Sequence, residues 1–266
     1  AMYPGDFNMP CQLYMKVFFS ERPHAIVKNV DITSAMALTG VVAVLTAKDV
    51  PNNEYGLSFP DQPVLCGPGS EKEYADRVRF IGDQIAVVIA ETEEIANKAR
   101  SLIKVVYEDL PIIEDATESL KADAFLIHPE LGKNEFCHYK IRKGDVDLAF
   151  NQCDIVIEEE YYTPVQEHIY LQPEAGLAYL DEDGLITVVV AGQWTHEDQE
   201  QIAHALNLPE NKIRIIYPAI GGAFGGREDM SVQIILALGI LRLHEKGIDR
   251  PIKIIWNREE SIIGHH

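Results

Sequence analysis

Four glycines flanking Ala223 and Phe224 form the stretch of this 266-residue chain that is best suited to chemistry. The stretch runs from Gly221 to Glu228 and reads Gly-Gly-Ala-Phe-Gly-Gly-Arg-Glu. It lies between a predicted strand and a predicted helix, where backbone N–H groups are unpaired and point outward. Glycine adopts positive φ and lets the main chain approach a ligand closely. Such a loop can hold an anion or an oxo group on its amides.

Two common phosphate-binding motifs do not fit this loop. The dinucleotide pattern G-x-G-x-x-G matches in no register. Gly221 and Gly226 have the Walker A separation, but Arg227 replaces the lysine and Glu228 stands where Ser or Thr would bind magnesium. Because a carboxylate at that position repels the phosphates of a nucleotide, an ATPase is disfavoured. A purely structural glycine turn remains an alternative.

Gln193 is a second residue with a possible chemical role, since it follows the apolar run Ile186–Ala191. Ligands commonly bind at the carboxyl ends of strands. The Gln193 amide can donate to an oxo oxygen, although an exposed loop glutamine is often only solvated. Trp194, beside it, either walls a pocket or packs in the core, and we expect core packing.

The elements that must position these residues form two α+β regions. In the first, we expect strands over 12–19, 40–45, 85–90 and 103–107, and a helix that begins after the N-cap Thr92. Residues 52–76 are polar and rich in Gly and Pro, which indicates a long loop. Residues 114–140 show little periodicity, so the boundary between the regions falls there.

The second region alternates predicted helices and strands around the two candidate loops. We expect a tight turn at 143–146 that leads into a short helix through 150, a strand over 155–162, and a hairpin turn at 181–184 with its return strand over 186–191. These are followed by a helix over 196–206 capped by Thr195, a strand over 213–217, a helix over 229–246 and a strand over 251–256. The side chains of Glu158, Glu159 and Glu160 alternate in direction along the predicted strand 155–162. They therefore point to opposite faces and do not form a catalytic pair.

Charge and composition exclude several classes of protein. The chain has 42 Asp and Glu against 23 Lys and Arg, a net charge of −19, which disfavours binding to nucleic acid or anionic membranes. The longest apolar run, Ile234–Leu241, is far shorter than the roughly 20 residues that cross a bilayer. We expect a cytoplasmic protein with a substantial core and no membrane partner. Ala1 before Met2 is interpreted as the remnant of an expression tag.

Cysteine and histidine spacing predicts no locally bound metal. The four cysteines at positions 11, 66, 137 and 153 contain no C-x-x-C pair, so we expect four structural thiols and no iron–sulfur cluster in this chain. The histidines include no i, i+4 pair on a predicted helix.

Several stretches, in order along nearly the whole chain, resemble the molybdenum-cofactor subunit of the xanthine dehydrogenase and aldehyde oxidase family. The most specific are His168–Ala175, Gly192-Gln193, Leu208–Arg214 and Gly221–Glu228. The others are 20–25, 40–51, 78–92, 105–111, 143–145 and 258–261. One position departs from the pattern, since Gln172 stands where many members have Glu.

The resemblance implies an α+β fold in three parts. Residues 1–113 correspond to an α/β hammerhead domain and 114–139 to a connecting segment. Residues 140–266 correspond to the N-terminal part of a molybdopterin-binding domain. Both candidate loops would therefore lie in the cofactor-binding part.

The resemblance also implies roles for individual residues. Gln193 would hydrogen-bond an oxo ligand of molybdenum, and the backbone amide of Phe224 would face the apical oxo group, in a cofactor-binding loop that includes Gly222 and Gly225. Glu228 matches a glutamate that helps to orient purine substrates. The resemblance therefore favours a purine or related N-heterocycle over an aldehyde.

The function that this resemblance implies is hydroxylation at a molybdenum centre held by molybdopterin. Iron–sulfur clusters and FAD would lie on other domains or subunits, and the partners would be those units and the remainder of the molybdenum subunit. Family members continue for several hundred residues and carry their catalytic glutamate there, so we expect the general base beyond residue 266. We interpret the chain as an engineered fragment, a truncated product or one piece of a split subunit, and expect it to be inactive alone.

A non-catalytic assembly or partner-binding module that keeps the fold is the alternative. The substrate stays open among xanthine, hypoxanthine, nicotinate, aldehydes and carbon monoxide. The electron acceptor and the oligomeric state stay open as well.

Overall fold

The computed structural model of the chain describes residues 1–265. His266, the last residue of the predicted 140–266 part, lies outside the described residues. The chain divides into two compact units, one formed by residues 1–112 together with those from 168 onward, and the other by residues 113–167. Its mixture of helices and strands confirms the predicted α+β class.

Within residues 1–265, ten strands form two sheets in the first unit. They are β1 (Leu13–Phe19), β2 (Ala25–Asp31), β3 (Val41–Thr46), β4 (Arg77–Val78), β5 (Gln84–Ala90), β6 (Lys104–Asp109), β7 (Ala175–Leu180), β8 (Ile186–Val190), β9 (Ile213–Ile216) and β10 (Ile252–Ile255). The large sheet has the order β3-β5-β1-β10-β7-β8-β9, and the small one β4-β2-β6. The structure confirms the strands predicted over 12–19, 40–45, 85–90, 103–107, 186–191, 213–217 and 251–256, with bounds that differ by at most two residues.

Strand β10 joins the two predicted α+β regions into one sheet. It pairs in parallel with β1, where Leu13 lies opposite Ile252, and antiparallel with β7. Residues Ile85 to Ala90 of β5 are all fully buried, which explains their continuous apolar sequence. The hydrophobic core therefore extends across both regions.

Strand β2 was not predicted from the sequence. Its centre carries Lys28 and Asn29, and its register with β6 shifts between Val27 and Asn29. A bulge of this kind breaks the two-residue alternation on which strand prediction depends.

Seven α-helices complete the described structure. They are α1 (Thr33–Met36), α2 (Glu93–Arg100), α3 (Ala116–Ser119), α4 (Val146–Asn151), α5 (Thr195–Leu206), α6 (Gln233–His244) and α7 (Arg258–Ile263). The predicted cap of α2 is confirmed, because the Thr92 side chain accepts a hydrogen bond from the Ile95 amide. Among residues 1–265, no helix is both long and apolar enough to span a membrane.

The predicted starts of two helices are wrong. Thr195 is the first residue of α5, and Trp194 occupies the cap position without a side-chain hydrogen bond. Helix α6 starts at Gln233, four residues later than predicted. The side chain of Gln233 accepts hydrogen bonds from the amides of Ser231 (2.8 Å) and Val232 (2.9 Å), which holds these residues in a loop.

The unit of residues 113–167 contains α3, α4 and exposed extended chain. The short helix predicted through residue 150 is confirmed as α4, and at its start the Asp145 carboxylate accepts a hydrogen bond from the Leu148 amide at 2.9 Å. The strand predicted over 155–162 is absent. Ile155 and Ile157 are about four-fifths exposed, at 79% and 80%, because the segment has no neighbouring strand with which to pair in the part of the chain that is described.

The cysteine prediction is correct for one thiol and wrong for three. All four cysteines are free, but only Cys66 is buried. Cys11, Cys137 and Cys153 are exposed, so they do not pack in the core.

Candidate cofactor-binding site

Two loops meet at one edge of the large sheet. Strands β8 and β9 are parallel neighbours, so their carboxyl ends lie side by side. Gln193 follows β8 and precedes α5, while Gly221–Glu228, here called the glycine loop, follows β9 and precedes α6. The carboxyl ends of neighbouring parallel strands, just before the helices that follow them, are a common location for ligands.

Gln193 contacts the end of the glycine loop directly. Its backbone N–H donates to the Arg227 carbonyl at 3.0 Å, and its side-chain oxygen accepts from the Arg227 N–H at 3.2 Å. Its Nε2 donates to the Glu228 carboxylate at the longer distance of 3.4 Å. The Gln193 side chain is exposed. The structure thus brings Gln193 and Glu228 together and leaves the Gln193 amide group at the surface.

The tip of the glycine loop is a strained turn with free amides. Gly222 and Gly225 have φ of 104° and 96°, and Phe224 has φ of 55°, which is unfavourable for a residue with a side chain. The Phe224 side chain is 77% exposed. Across residues 1–265, the amides of Phe224 and Gly225 donate to no protein acceptor. These two amides, here called the cradle, are donors that can pair with a ligand that presents oxygen acceptors.

Close packing also requires glycine at two positions of the loop. An added Cβ at Gly221 would lie 2.5 Å from the Cβ of Gln172, and one at Gly222 would lie 2.8 Å from the Cβ of Tyr170. At Gly225, by contrast, the nearest atom would be 3.8 Å away. Close packing therefore accounts for part of the glycine pattern, but it does not account for Gly225 and the free amides.

Arg227 holds the glycine loop from its buried side. It is 3% exposed, its Nη2 donates to the Gln172 carbonyl at 2.5 Å, and its guanidinium lies 4.1 Å from the centre of the Tyr170 ring. The same Nη2 is 3.6 Å from the carboxylate of Glu174. From the sequence, Arg227 stood out only as a replacement for the Walker A lysine. The signal that could have revealed its role is a cation directly after the last glycine of the loop.

Glu174 remains ionised in this cluster. Burial works to raise the pKa of its carboxyl, but hydrogen bonds from His265, Ser261 and Tyr170 outweigh burial and hold the pKa below its ordinary value. The carboxylate therefore balances the charge of Arg227 beneath the loop.

A second buried carboxylate, Asp198 of α5, lies between the two loops. It is fully buried and accepts hydrogen bonds from the Tyr217 hydroxyl at 2.6 Å and from Gln233 Nε2 at 3.4 Å. Burial raises its pKa to about 6, and Asp229 contributes in the same direction, while the bonds from Tyr217 and Gln233 oppose the rise. No feature of the sequence had indicated this residue.

The raised pKa of Asp198 predicts a pH dependence of stability. Between the ordinary pKa of 3.8 and about 6, the folded chain holds a proton on Asp198 that the unfolded chain has lost. Protonated Asp198 therefore contributes its full stabilisation of the folded chain below pH 3.8, and this stabilisation is lost as the pH rises to about 6. In urea unfolding, the free energy of unfolding of Asp198→Asn minus that of wild type should increase with pH across this window. Above about pH 6 the difference should stay constant. A difference that does not vary with pH would contradict the prediction.

Trp194 differs from its prediction. Its side chain is 47% exposed, so it does not pack in the core as expected. It lies at the start of α5, at the same surface as Gln193.

Comparison with known proteins gives relatives over nearly the full chain. The nicotinate dehydrogenase large molybdopterin subunit of Eubacterium barkeri is 39% identical over 98% of this chain and 58% of the relative. A probable xanthine dehydrogenase subunit of Bacillus subtilis is 39% identical over 98% of the chain and 33% of the relative. The chain thus spans between a third and about three-fifths of these relatives.

Solved structures share the fold. The aldehyde oxidoreductase of Desulfovibrio gigas superposes with a TM-score of 0.83 at 24% identity, over 97% of this chain and 28% of that one.

Two family models together match most of the chain. The aldehyde oxidase and xanthine dehydrogenase a/b hammerhead domain matches residues 1–111, and the molybdopterin cofactor-binding domain matches residues 127–266. The predicted order of a hammerhead domain followed by a molybdopterin-binding domain is therefore confirmed. The chain belongs to the xanthine dehydrogenase and aldehyde oxidase family of molybdenum-cofactor-binding subunits.

Proposed function

We propose that this chain is the part of a molybdenum hydroxylase that forms one wall of the cofactor site, and that the full-length enzyme hydroxylates a purine or related N-heterocycle. The observation that carries the proposal is the cradle of free amides at Phe224 and Gly225, with the Gln193 amide at the same sheet edge. The names of the two curated relatives, which refer to nicotinate and xanthine, support an N-heterocyclic substrate.

The residues present fit the oxygen atoms of a molybdenum–molybdopterin cofactor. The Gln193 Nε2 and the amides of Phe224 and Gly225 would donate to them, and the positive φ of Gly222 helps the loop to make the turn. When bound, the cofactor supplies a redox-active metal at which substrate is oxidised and from which electrons leave. The donors are held by the fold before any ligand binds, so little reorganisation is required.

Glu228 is the proposed substrate-orienting residue. It is half-buried next to Gln193. Its carboxylate can accept a hydrogen bond from a ring N–H of a heterocycle, a contact that an aldehyde lacks.

We assign no catalytic base within this chain and propose that it is supplied by the remainder of the molybdenum subunit. The incomplete span of the relatives supports such a partner. So do large apolar side chains that the unit of residues 113–167 exposes to solvent, including Tyr139 (85%), Ile141 (93%) and Tyr161 (87%). Units carrying iron–sulfur clusters and FAD would then accept the electrons.

The alternative, a non-catalytic module, is supported by the packing role of Gly221 and Gly222. A module would need these glycines for its turn but would have no use for free amides at Phe224 and Gly225. Binding of an oxyanion at these two amides therefore separates the two functions.

Titration of the ¹⁵N-labelled chain with molybdate tests the proposal. We expect chemical-shift changes at the amides of Phe224 and Gly225 and at the side-chain amide of Gln193. Gln193→Leu removes one donor to a charged ligand, so it should weaken binding by about tenfold. Gln152→Leu, at an exposed position in the other unit, is the matched control and should bind as wild type does. Shifts absent from the glycine loop would contradict the proposal.

The isolated chain is expected to lack hydroxylase activity. Metal analysis of the chain purified from a molybdenum-replete host should find far less than one molybdenum per chain, and purines should not drive dye reduction. Near-stoichiometric metal or purine-dependent reduction would overturn this part of the proposal.

A further inference from the structure

One buried carboxylate connects the two loops of the cofactor site. Asp198 is fully buried, and a single oxygen, Oδ2, accepts both the Tyr217 hydroxyl (2.6 Å) and Gln233 Nε2 (3.4 Å). Burying a carboxylate is costly, and an apolar side chain would fill the same space without that cost. A geometric role would account for its presence.

Tyr217 connects Asp198 to Gln193. The Tyr217 hydroxyl lies so close to Gly192 that an added Cβ there would overlap it, and that Cβ would also lie 3.0 Å from Asp198 Oδ2. The phenol therefore occupies the space of the missing side chain and fixes the main chain of Gly192. Because Gln193 is the next residue, its backbone position depends on this contact.

Gln233 connects Asp198 to the segment that follows the glycine loop. It is 1% exposed, and its Oε1 accepts hydrogen bonds from the amides of Ser231 (2.8 Å) and Val232 (2.9 Å). Its Nε2 is turned to Asp198. The residues between the glycine loop and α6 are thus linked, through Gln233, to the same carboxylate that accepts the Tyr217 hydroxyl.

We propose that Asp198, through Tyr217 and Gln233, sets the position of the Gln193 amide relative to the glycine loop. These three are positioning residues, because the hydrogen bonds described above join them to one another and to the amides of Ser231 and Val232, outside the glycine loop. The inference rests on the proposed function, since it assigns to them the alignment of the donors at Gln193, Phe224 and Gly225. It predicts that loss of the Asp198 carboxylate disturbs donors on both loops at once.

The test compares Asp198→Ala with Asp198→Asn and Tyr217→Phe in the 266-residue chain. We expect Asp198→Ala to shift the NMR resonances of the Gln193 side-chain amide and of the Phe224 and Gly225 amides, and to weaken molybdate binding by about tenfold. Asp198→Asn keeps an acceptor for Tyr217, so its resonances and its molybdate binding should both lie close to those of wild type. Tyr217→Phe deletes one hydroxyl, so it tests the same link even where Asp198→Ala fails to fold.

Thr187→Val is the matched control. Thr187 is a buried residue of β8 whose hydroxyl donates to Asp181 at 2.9 Å, at the end of the strand remote from Gln193. Loss of this hydroxyl should lower the free energy of unfolding without moving the Gln193, Phe224 or Gly225 resonances. If Asp198→Ala, Tyr217→Phe and Thr187→Val all lower stability and none moves those resonances, Asp198 is only structural and the inference is overturned. The resonance comparison needs no bound ligand, so it decides the positioning role independently of molybdate binding.

Discussion

Replacing Arg227 with Met is expected to lower the free energy of unfolding by about 3–5 kcal/mol, the usual cost of removing one partner of a buried ion pair. Met retains the length of the side chain but removes the charge that faces Glu174 and the hydrogen bond to the Gln172 carbonyl. The carboxylate of Glu174, which is 3% exposed, would then lose its nearest guanidinium. Urea unfolding followed by circular dichroism measures the change.

The same substitution should release the glycine loop. Arg227 holds the buried side of the glycine loop, so the hydrogen-bonded amides of Gly221, Gly226 and Glu228 should exchange with deuterium faster in Arg227→Met. Arg214→Met is the matched control, because Arg214 also pairs with a carboxylate, Asp181 at 2.5 Å, but its side chain is 44% exposed. Exposed pairs contribute little, so the control should change stability far less and leave the loop unaffected. Equal effects of the two substitutions would contradict the role assigned to Arg227.

Trp256→Ala is expected to cost about 3–5 kcal/mol of stability, as for other large aromatic residues truncated in a core. Trp256 is 1% exposed and packs edge-on against Phe19 of β1, with ring centroids 5.2 Å apart. Gly264 approaches the indole so closely that a Cβ there would lie 2.5 Å from it. The side chain, which directly follows β10, therefore packs between Phe19 of β1 and the residue that follows α7.

The other tryptophan of the chain provides the control for this prediction. Trp194 is 47% exposed, so Trp194→Ala removes little buried surface and should change stability much less. Both variants can be unfolded in urea and followed by far-ultraviolet circular dichroism, which does not depend on the lost fluorophore. A cost at Trp256 no larger than the cost at Trp194 would show that the sheet does not depend on this contact.

Elements defined by their own residues were predicted well. The apolar strand β5, the capped helix α2 and the Asp181–Gly184 turn follow from the nearest neighbours of each residue, and all are present. Propensity, capping and turn chemistry act over a few positions, which makes them readable without a fold. The glycine loop was recognised for the same reason.

Elements that depend on a distant partner were not predicted correctly. Residues 155–162 have strand composition but pair with no strand in the described chain, while β2 has polar residues at its centre and is a strand because β4 and β6 pair with it. Trp194 was expected inside and lies at the surface. Pairing and burial are properties of the assembled sheet, so local composition did not decide them.

The sequence by itself determined the family, the α+β class and the loop residues Gln193, Phe224 and Glu228 as candidates for the site. Only the tertiary structure decided that Gln193 is bonded to Arg227, that Arg227 is buried beneath the loop, and that Asp198 lies between the two loops. These arrangements join residues tens of positions apart. Their energies come from desolvation and close packing, which exist only after parallel strands β8 and β9 have brought their carboxyl ends together.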